Sequence, residues 1–570
     1  MGECIINSEK RRIPVLVLLA GILLLYFTGI CEVNAATINA ASCSQTDVQA
    51  AIDIACDGDT VVVPAGEGTW DSGVAISDDR NILLQGAGID LTIITRSSTG
   101  TAVDLEQTSS RVTGFTFYEG RISPNGGSGW RVDHCRIISN EGMAGVLVRG
   151  TIQDTHPDGL VDHCIFQNAR VVIIGSAAML VEGPDQHYLW AQELDLGTDG
   201  AVYVEDCTFT YTVFGNCMDA NYGGKYVFRY NTVNDVYLEA HSVQGENRAT
   251  IKWEIYNNTI NQIDRSMWTP FFIRGGTGVV FNNTLTGTWS SPCITLDNVR
   301  TFSDVSGGGL CNGGSPWDGN EPLETGGTGN HTGSSGSLTL TDASQNWEVN
   351  SLVDIYVYNL TDSSKGQITA NSANTVTAIL SGGSENDWDT GDHFKITNGY
   401  PSRDQIGRST DEYLWTDETP YPPQDHEPAY SWNNEHEGDD VNFSVHNNCH
   451  VHIQSGRDYF DNVQKPGYSP YTYPHPLITG STAPQLNFSV YPNPCRVYQG
   501  ENIITFIGDF NSGDNIKVYD TNGRLLHDSG YLSEATYQWN VDDFASGIYF
   551  FIIISTDDGN KAAGKIVILK

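Results

Sequence analysis

The chain of 570 residues is poor in positive charge: 30 Lys and Arg stand against 69 Asp and Glu, a formal net charge of −39. That excludes nucleic acid as a partner, because binding a polyphosphate needs a basic footprint that releases counterions. Long apolar runs are absent after Ile30, so no membrane span is expected in the mature chain. The motifs HExxH, GxSxG, the P-loop and a CxxC pair are all missing, which removes the commonest metalloprotease, esterase and nucleotide-hydrolysing readings. Strong helix formers are scarce, whereas Gly (60), Asn, Thr, Val and Tyr abound. Such a composition is all-β with many turns.

What is present begins with a processing signal. Lys10, Arg11 and Arg12 precede an apolar run from Ile13 to Ile30, and Val33-Asn34-Ala35 offers a small-residue cleavage site. Residues 1–35 are therefore expected to be a signal peptide, cleaved on export. The mature chain keeps ten cysteines in an oxidising compartment, where disulfides are permitted. Cys43 and Cys56 flank a short helical segment, Gln45 to Ala55, and are placed to pair. An acidic surface also suits hard cations such as calcium.

Six segments repeat: VDHCRI (132–137), VDHCIF (161–166), VEDCTF (204–209), FRYNTV (228–233), IYNNTI (255–260) and VFNNTL (280–285). Their markers are Cys135, Cys164, Cys207, Asn231, Asn258 and Asn283; the last three steps are 24, 27 and 25 residues, and the earlier ones 29 and 43. A period near 25 predicts a solenoid whose coil holds about three short strands, stacked at about 4.8 Å per coil. Asparagines then form an amide ladder at one turn, and buried cysteines take the same place in earlier coils.

The phrases VVVPAGEGTW (61–70) and ILLQGAG (82–88), with the repeats, resemble the pectate-lyase-like superfamily. The resemblance covers roughly residues 37–320 and 399–478 and implies a right-handed parallel β-helix. WRVDHC (130–135) is similar to the WxDH segment of pectate lyases, in which the Asp lies near calcium, although VDHC recurs at 161–164 as a coil repeat does. The DD, GHG and RIK elements of β-helix polygalacturonases are absent. Other pieces, among them MDANYGGKYVFRYNTV (218–233), FIRGGTGVVFNNT (272–284) and YPSRDQIGR (400–408), resemble a group of bacterial β-helix proteins. That resemblance implies roles for Asp219, Asn221, His241, Arg248 and Arg274. It also implies a cysteine where Ser402 stands, so that Cys311 pairs with Cys293 or stays free.

Between 326 and 398 alternating strands such as VDIYVYNLT (353–361) predict an inserted small β domain, a barrel or sandwich. The chain then returns to the solenoid over 399–480, where the aromatic tail YSPYTYPHPL (468–477) is expected to cross the last coil. After a linker at 481–486, residues 487–570 predict a β-sandwich with an Asn-Gly turn at 522–523. Tyr491-Pro492-Asn493-Pro494, IKVYDTNGRLL (516–526), ASGIYFF (545–551) and GKIVILK (564–570) resemble the type A sorting domain of the type IX secretion system of Bacteroidota and related phyla. This implies contact with that machinery and delivery across an outer membrane to the cell surface or beyond.

Counting twelve residues back from successive markers gives Asp195, Asp219 and Glu246, an expected column of carboxylates suited to calcium. Counting back nine or ten gives Arg274, Arg248 and Asn221; Lys225 and Lys252 each fall six back. Six of the 30 basic residues lie between 219 and 274, namely Lys225, Arg229, Arg248, Lys252, Arg265 and Arg274. His241, Tyr222 and Tyr237 fall in the same stretch. Such a layout matches polysaccharide β-elimination, in which a uronate carboxylate is neutralised and a base takes the C5 proton. The expected catalytic residues are Arg248, Arg274, His241 and Lys225; substrate-binding, Asn221, Tyr222, Lys252 and Arg265; metal-holding, Asp195, Asp219 and Glu246. The expectation is a monomeric polysaccharide lyase acting on an acidic polysaccharide. The rivals are a glycan-binding adhesin and a two-carboxylate glycoside hydrolase.

Overall fold

The repeats lie one upon another as parallel strands. The computed structural model describes residues 35–570 apart from 79, 151–156, 176–193, 244–247, 302–310, 312–317, 319–324, 354, 398, 400, 409–423, 447–448, 451, 481–487, 492–494, 501, 509–513, 521–523, 533–535 and 555–560. The expected signal peptide, apart from Ala35, lies outside the described residues, as does Glu246.

Each coil has three faces. The first is a 12-stranded parallel sheet running from Thr37–Asn39 to Tyr459–Asp461, with Val202–Glu205, Lys225–Arg229, Lys252–Tyr256 and Thr277–Phe281 near its middle. The second stacks three-residue strands, including Thr208–Thr210, Thr232–Asn234, Thr259–Asn261 and Thr284–Thr286. The third stacks Arg170–Ile174, Asn216–Asn221, Tyr237–Ala240, Phe271–Ile273, Ile294–Leu296 and Phe443–Val445. This is an all-β solenoid. Alternate residues of every face point inward, so Phe166, Phe209, Val233, Ile260 and Leu285 fill one interior row, with Phe166 and Phe209 stacked 4.6 Å apart. The helix Gln45–Ile54, capped by Ser44, buries Val48, Ala51 and Ile52 against the first coil.

The corner between the first and second faces explains the marker residues. The residue before each marker has positive φ: His134 (46°), His163 (50°), Asp206 (54°), Tyr230 (58°), Asn257 (57°) and Asn282 (54°). One left-handed residue turns the chain, and His, Asp and Asn are the side chains that tolerate it best. The marker then points inward and bonds its neighbours above and below. Asn231 Nδ2 donates to Asn258 Oδ1 (3.2 Å), Asn258 Nδ2 to Asn283 Oδ1 (2.9 Å) and Asn283 Nδ2 to Asn434 Oδ1 (2.8 Å). Cys135, Cys164 and Cys207 continue the row as buried free thiols.

Two other cysteine expectations resolve differently. Cys43 is a buried free thiol whose Sγ lies 3.0 Å from the Pro64 carbonyl. It is turned into the first coil and does not bridge to Cys56. Cys311 and Cys293 are both free as well. Ser402, beside which Cys311 is buried, bonds instead to Arg300 at 3.0 Å.

Residues Thr325–Asn330 to His393–Thr397 form one six-stranded antiparallel sheet with its own core around Leu340, Val357, Ile368 and Phe394. The solenoid resumes where Ala429–Trp432 pairs in parallel with Thr277–Phe281.

The aromatic tail does not close the last coil. It runs back over the outer face of the long sheet, from Tyr468 against Phe281 and Trp432 to Leu477 and Ile478 against Arg131. That face is unusually apolar, with Tyr203, Val227, Tyr256, Val279 and Phe281 buried beneath the strap. Covering it removes far more apolar area from water than capping one coil. Arg229, fully buried, ties the strap down: it bonds Glu205 and Tyr256 and donates to the carbonyls of Tyr471 and Thr472, both at 2.8 Å.

The C-terminal module is a sandwich of a three-stranded and a five-stranded sheet around Trp539, Phe506, Val518 and Ile566. No helix among the described residues is long and apolar enough to cross a membrane.

Candidate functional site

The outward side chains of the third face form two parallel columns. Met218 pairs with Leu238, so Asp219 stands beside Glu239; Glu239 pairs with Phe272 and Phe272 with Thr295. The second column is Asn221, His241, Arg274, Asp297 and His446. Its backbone bonds are His241 N to Ala220 O (3.0 Å), Arg274 N to Ala240 O (2.8 Å), Asp297 N to Ile273 O (2.9 Å) and His446 N to Leu296 O (2.8 Å).

Acids and cations meet where the columns adjoin. One ligand atom each from Asp219, Glu239 and His241 lies within 4.8 Å of the others. His241 Nδ1 is 3.4 Å from Asp219 Oδ1 and 3.7 Å from Glu239 Oε1. Arg274 Nη2 bonds Glu239 Oε1 and lies 2.8 Å from His241 Nδ1. Asn216 Nδ2 donates to Glu239 Oε2 at 2.5 Å and is itself held by Arg170 at 2.7 Å. Asp219 and Glu239 are 7% and 6% exposed. Glu239 is therefore saturated with donors, whereas Asp219 Oδ1 and Asn221 Oδ1 are buried without a hydrogen-bond partner. Unsatisfied buried oxygens are costly and point to a missing donor or cation. Tyr237 stands on the same face; burial, then Glu239, pushes its hydroxyl well above the usual range.

Aromatic rings flank the cluster along the solenoid axis. On one side Phe214, 75% exposed, sits 6.0 Å from Tyr237. On the other, Trp268 stacks near Phe272 (5.3 Å) and His446 (5.0 Å). The guanidinium of Arg274 lies over Phe272 at 5.2 Å. Apolar rings thus stand on both sides of a charged centre.

The structure scatters the rest of the expected site. Asp195 is not stacked on Asp219: it follows the long insertion of its coil, and Val172 occupies the place facing Asp219. Asp195 lies instead 3.6 Å from Lys225 Nζ, and its carbonyl accepts from Lys252 Nζ. Lys225 and Lys252 are fully buried at the starts of two middle strands of the long sheet, Lys252 3.1 Å from Glu254, which Tyr468 of the strap also contacts. Burial pulls the Lys225 ammonium down to about 8, with Asp195 opposing. These lysines hold loop and strap together on a face other than that of the acid cluster. Arg248, 3% exposed, clamps Asp404 through Nε (3.1 Å) and Nη2 (2.9 Å). Asp404 O in turn approaches Gly275, next to Arg274, so closely that a Cβ there would meet it at 3.1 Å. Arg248 thus positions the turn that carries Arg274. Tyr222 takes the left-handed turn after Asn221 and donates its N–H to Arg248 O at 2.9 Å. Arg265 lies in a loop tied to Asp235 (3.2 Å).

The terminal sandwich begins at Phe488–Tyr491 and ends with the strand Lys561–Leu569. Residues 489–569 match the secretion system C-terminal sorting domain. The sorting domain marks the chain for export across the outer membrane, to the cell surface or into the medium, by the type IX machinery. No curated protein matches this chain. Among solved structures, PorZ, an essential bacterial surface component of the type-IX secretion system of Porphyromonas gingivalis, is 25% identical over 15% of this chain. The chain spans 12% of PorZ, and with a TM-score of 0.14 the match carries no structural argument.

Glu239 was the residue the spacing missed. It lies nineteen positions before Asn258, because the turn after its strand is longer than the one after Asp219. A signal was present nonetheless: Asp219-Ala220-Asn221, Glu239-Ala240-His241 and Phe272-Ile273-Arg274 share an outward–inward–outward pattern. Aligning strands rather than counting from the corner would have found it.

Proposed function

We propose that this exported protein is a polysaccharide lyase, of the pectate-lyase-like kind, that cleaves a uronate-containing polymer by β-elimination at Asp219, Glu239, His241 and Arg274. The observation that carries the reading is the cation placed against the acid pair. Arg274 exchanges Glu239 for the uronate carboxylate and so acidifies the C5 proton. His241 takes that proton, and the flanking carboxylates stabilise the resulting imidazolium. The C4–O bond breaks as the C4–C5 double bond forms, and the departing oxygen takes a proton from the Tyr237 hydroxyl, which solvent then reprotonates.

Calcium fits at Asp219 and Asn221, whose buried oxygens lack partners; the donor set is oxygen, as calcium prefers. Bound there it would supply further charge neutralisation at the uronate carboxylate. Of the other two expected ligands, Asp195 belongs to the lysine cluster, and Glu246 lies outside the described residues.

The second reading is a retaining hydrolase, favoured by two carboxylates as close as Asp219 and Glu239. Glu239, with donors on both oxygens, is bonded as an ionised acceptor rather than as an acid. Incubation with pectate, alginate and glycosaminoglycans, with calcium and then with chelator, separates the readings. Unsaturated ends that absorb in the ultraviolet support the lyase. New reducing ends without that absorbance favour the hydrolase. Binding without cleavage leaves an adhesin.

A further inference from the structure

His134 and His163 occupy the same corner on consecutive coils, and their rings stack 5.0 Å apart with only 4° between planes. Each ring is tethered the same way. His134 Nδ1 lies 2.7 Å from Asp133 Oδ2, and His163 Nδ1 lies 2.8 Å from Asp162 Oδ2. Both carboxylates are fully buried and pinned by an arginine from the coil before: Arg111 to Asp133 at 2.6 and 2.7 Å, Arg131 to Asp162 at 2.8 Å twice. Each carboxylate already accepts from a guanidinium, so it faces the ring as an acceptor and Nδ1 of each histidine donates to it. The lone pair then sits on Nε2. The histidine side chains are 58% and 44% exposed.

The backbone does not demand histidine here. Asn257, Asn282 and Asn433 hold the same left-handed corner in later coils, with φ of 57°, 54° and 53°. Two consecutive histidines, each backed by a buried carboxylate, depart from that pattern. An imidazole whose far nitrogen donates to a carboxylate is how proteins orient histidine toward a metal. The next corner along is Asp206, which follows Glu205 just as His163 follows Asp162. Its Oδ1 accepts the Tyr473 hydroxyl at 2.9 Å.

We infer that His134 and His163 form a binding site for a divalent ion of the zinc, nickel or copper class, separate from the acid cluster of the third face. Imidazole nitrogen suits these ions and suits calcium poorly. Two bonds of about 2.0–2.1 Å to one ion require nitrogens within about 4 Å. The rings are exposed and 5.0 Å apart, and they reach that when each turns toward the other, because the in-plane lone pairs of parallel rings do not converge as they stand. Water completes the shell.

The test is calorimetric titration of the untagged full-length protein with Zn2+, and Cu2+ electron paramagnetic resonance on the same sample. The wild type should bind one ion at this corner, with coupling from two nitrogens in the copper spectrum. His134→Asn and His163→Asn should each weaken binding at least about tenfold; both place at the corner the residue that later coils use, so the coil should keep its fold. Glu239→Gln, in the proposed lyase centre, should leave this affinity unchanged. Equal zinc affinity in wild type and both asparagine variants overturns the proposal, as does a copper spectrum with fewer than two nitrogens. Loss of zinc binding in Glu239→Gln alone would also overturn it, by moving the ion to the third face.

Discussion

Arg274 reaches back one coil to the carboxylate of Glu239, and the same guanidinium nitrogen lies 2.8 Å from His241 Nδ1. The pair is nearly buried, with side-chain exposures of 12% and 8%. Removing either partner strands a charge. Arg274→Ala should therefore cost about 3 kcal/mol of stability, and Arg274→Ala with Glu239→Gln should cost less than the single change. Urea denaturation of the two variants beside the wild type checks the order.

On activity the two changes act together. His241→Ala should lower the rate of β-elimination by about 10²–10⁴, as removal of a positioned base does; Glu239→Gln, which removes a carboxylate beside the imidazolium and the partner that places Arg274, should lower it too. Circular dichroism beside the rate measurement keeps the two effects apart.

The amide ladder makes a prediction about stability alone. Asn258 donates to the Phe228 carbonyl (2.9 Å) and accepts from the Asn231 backbone N–H (2.9 Å), in the dry interior of the coil. Asn258→Ala leaves both without partners, at about 1–3 kcal/mol for each group. A fall in the denaturation midpoint by that amount, with exported protein still folded, is the expected result.

Acid should loosen the strap. Burial, then Arg229 and Arg131, lowers His475 to about 4 from an ordinary 6.5. The unfolded chain therefore binds the extra proton first. Stability is full above about pH 6.5 and declines as pH falls toward 4, by up to about 3 kcal/mol. Limited proteolysis of residues 468–478 should become faster across that window, and His475→Gln should flatten the dependence.

Much of the solenoid was legible because its repeat is set by one backbone corner. The marker residues recur wherever a left-handed residue precedes them, so Cys135 through Asn283 could be read off in order. The sorting domain was legible for a similar reason, through a run of turn and strand signals in fixed succession. The candidate site was only half legible. Arg274 and Asp219 were named from spacing and His241 from the basic stretch they share, but insertions in the turns put Asp195 beside Lys225 and hid Glu239. Counting residues from a corner fails where a turn changes length, while the strand register is kept by the ladder hydrogen bonds. The strap escaped for another reason: its partner is the whole outer sheet face, from Phe281 to Arg131, and no local pattern encodes a surface assembled from many coils.

The most direct measurement is ultraviolet absorbance during incubation of the mature protein with pectate, alginate and glycosaminoglycans, wild type beside Glu239→Gln. The account predicts a steady rise on at least one uronate polymer, abolished by chelator and by the substitution. No rise on any of them, with reducing ends also unchanged, would contradict it and leave a non-catalytic glycan-binding solenoid.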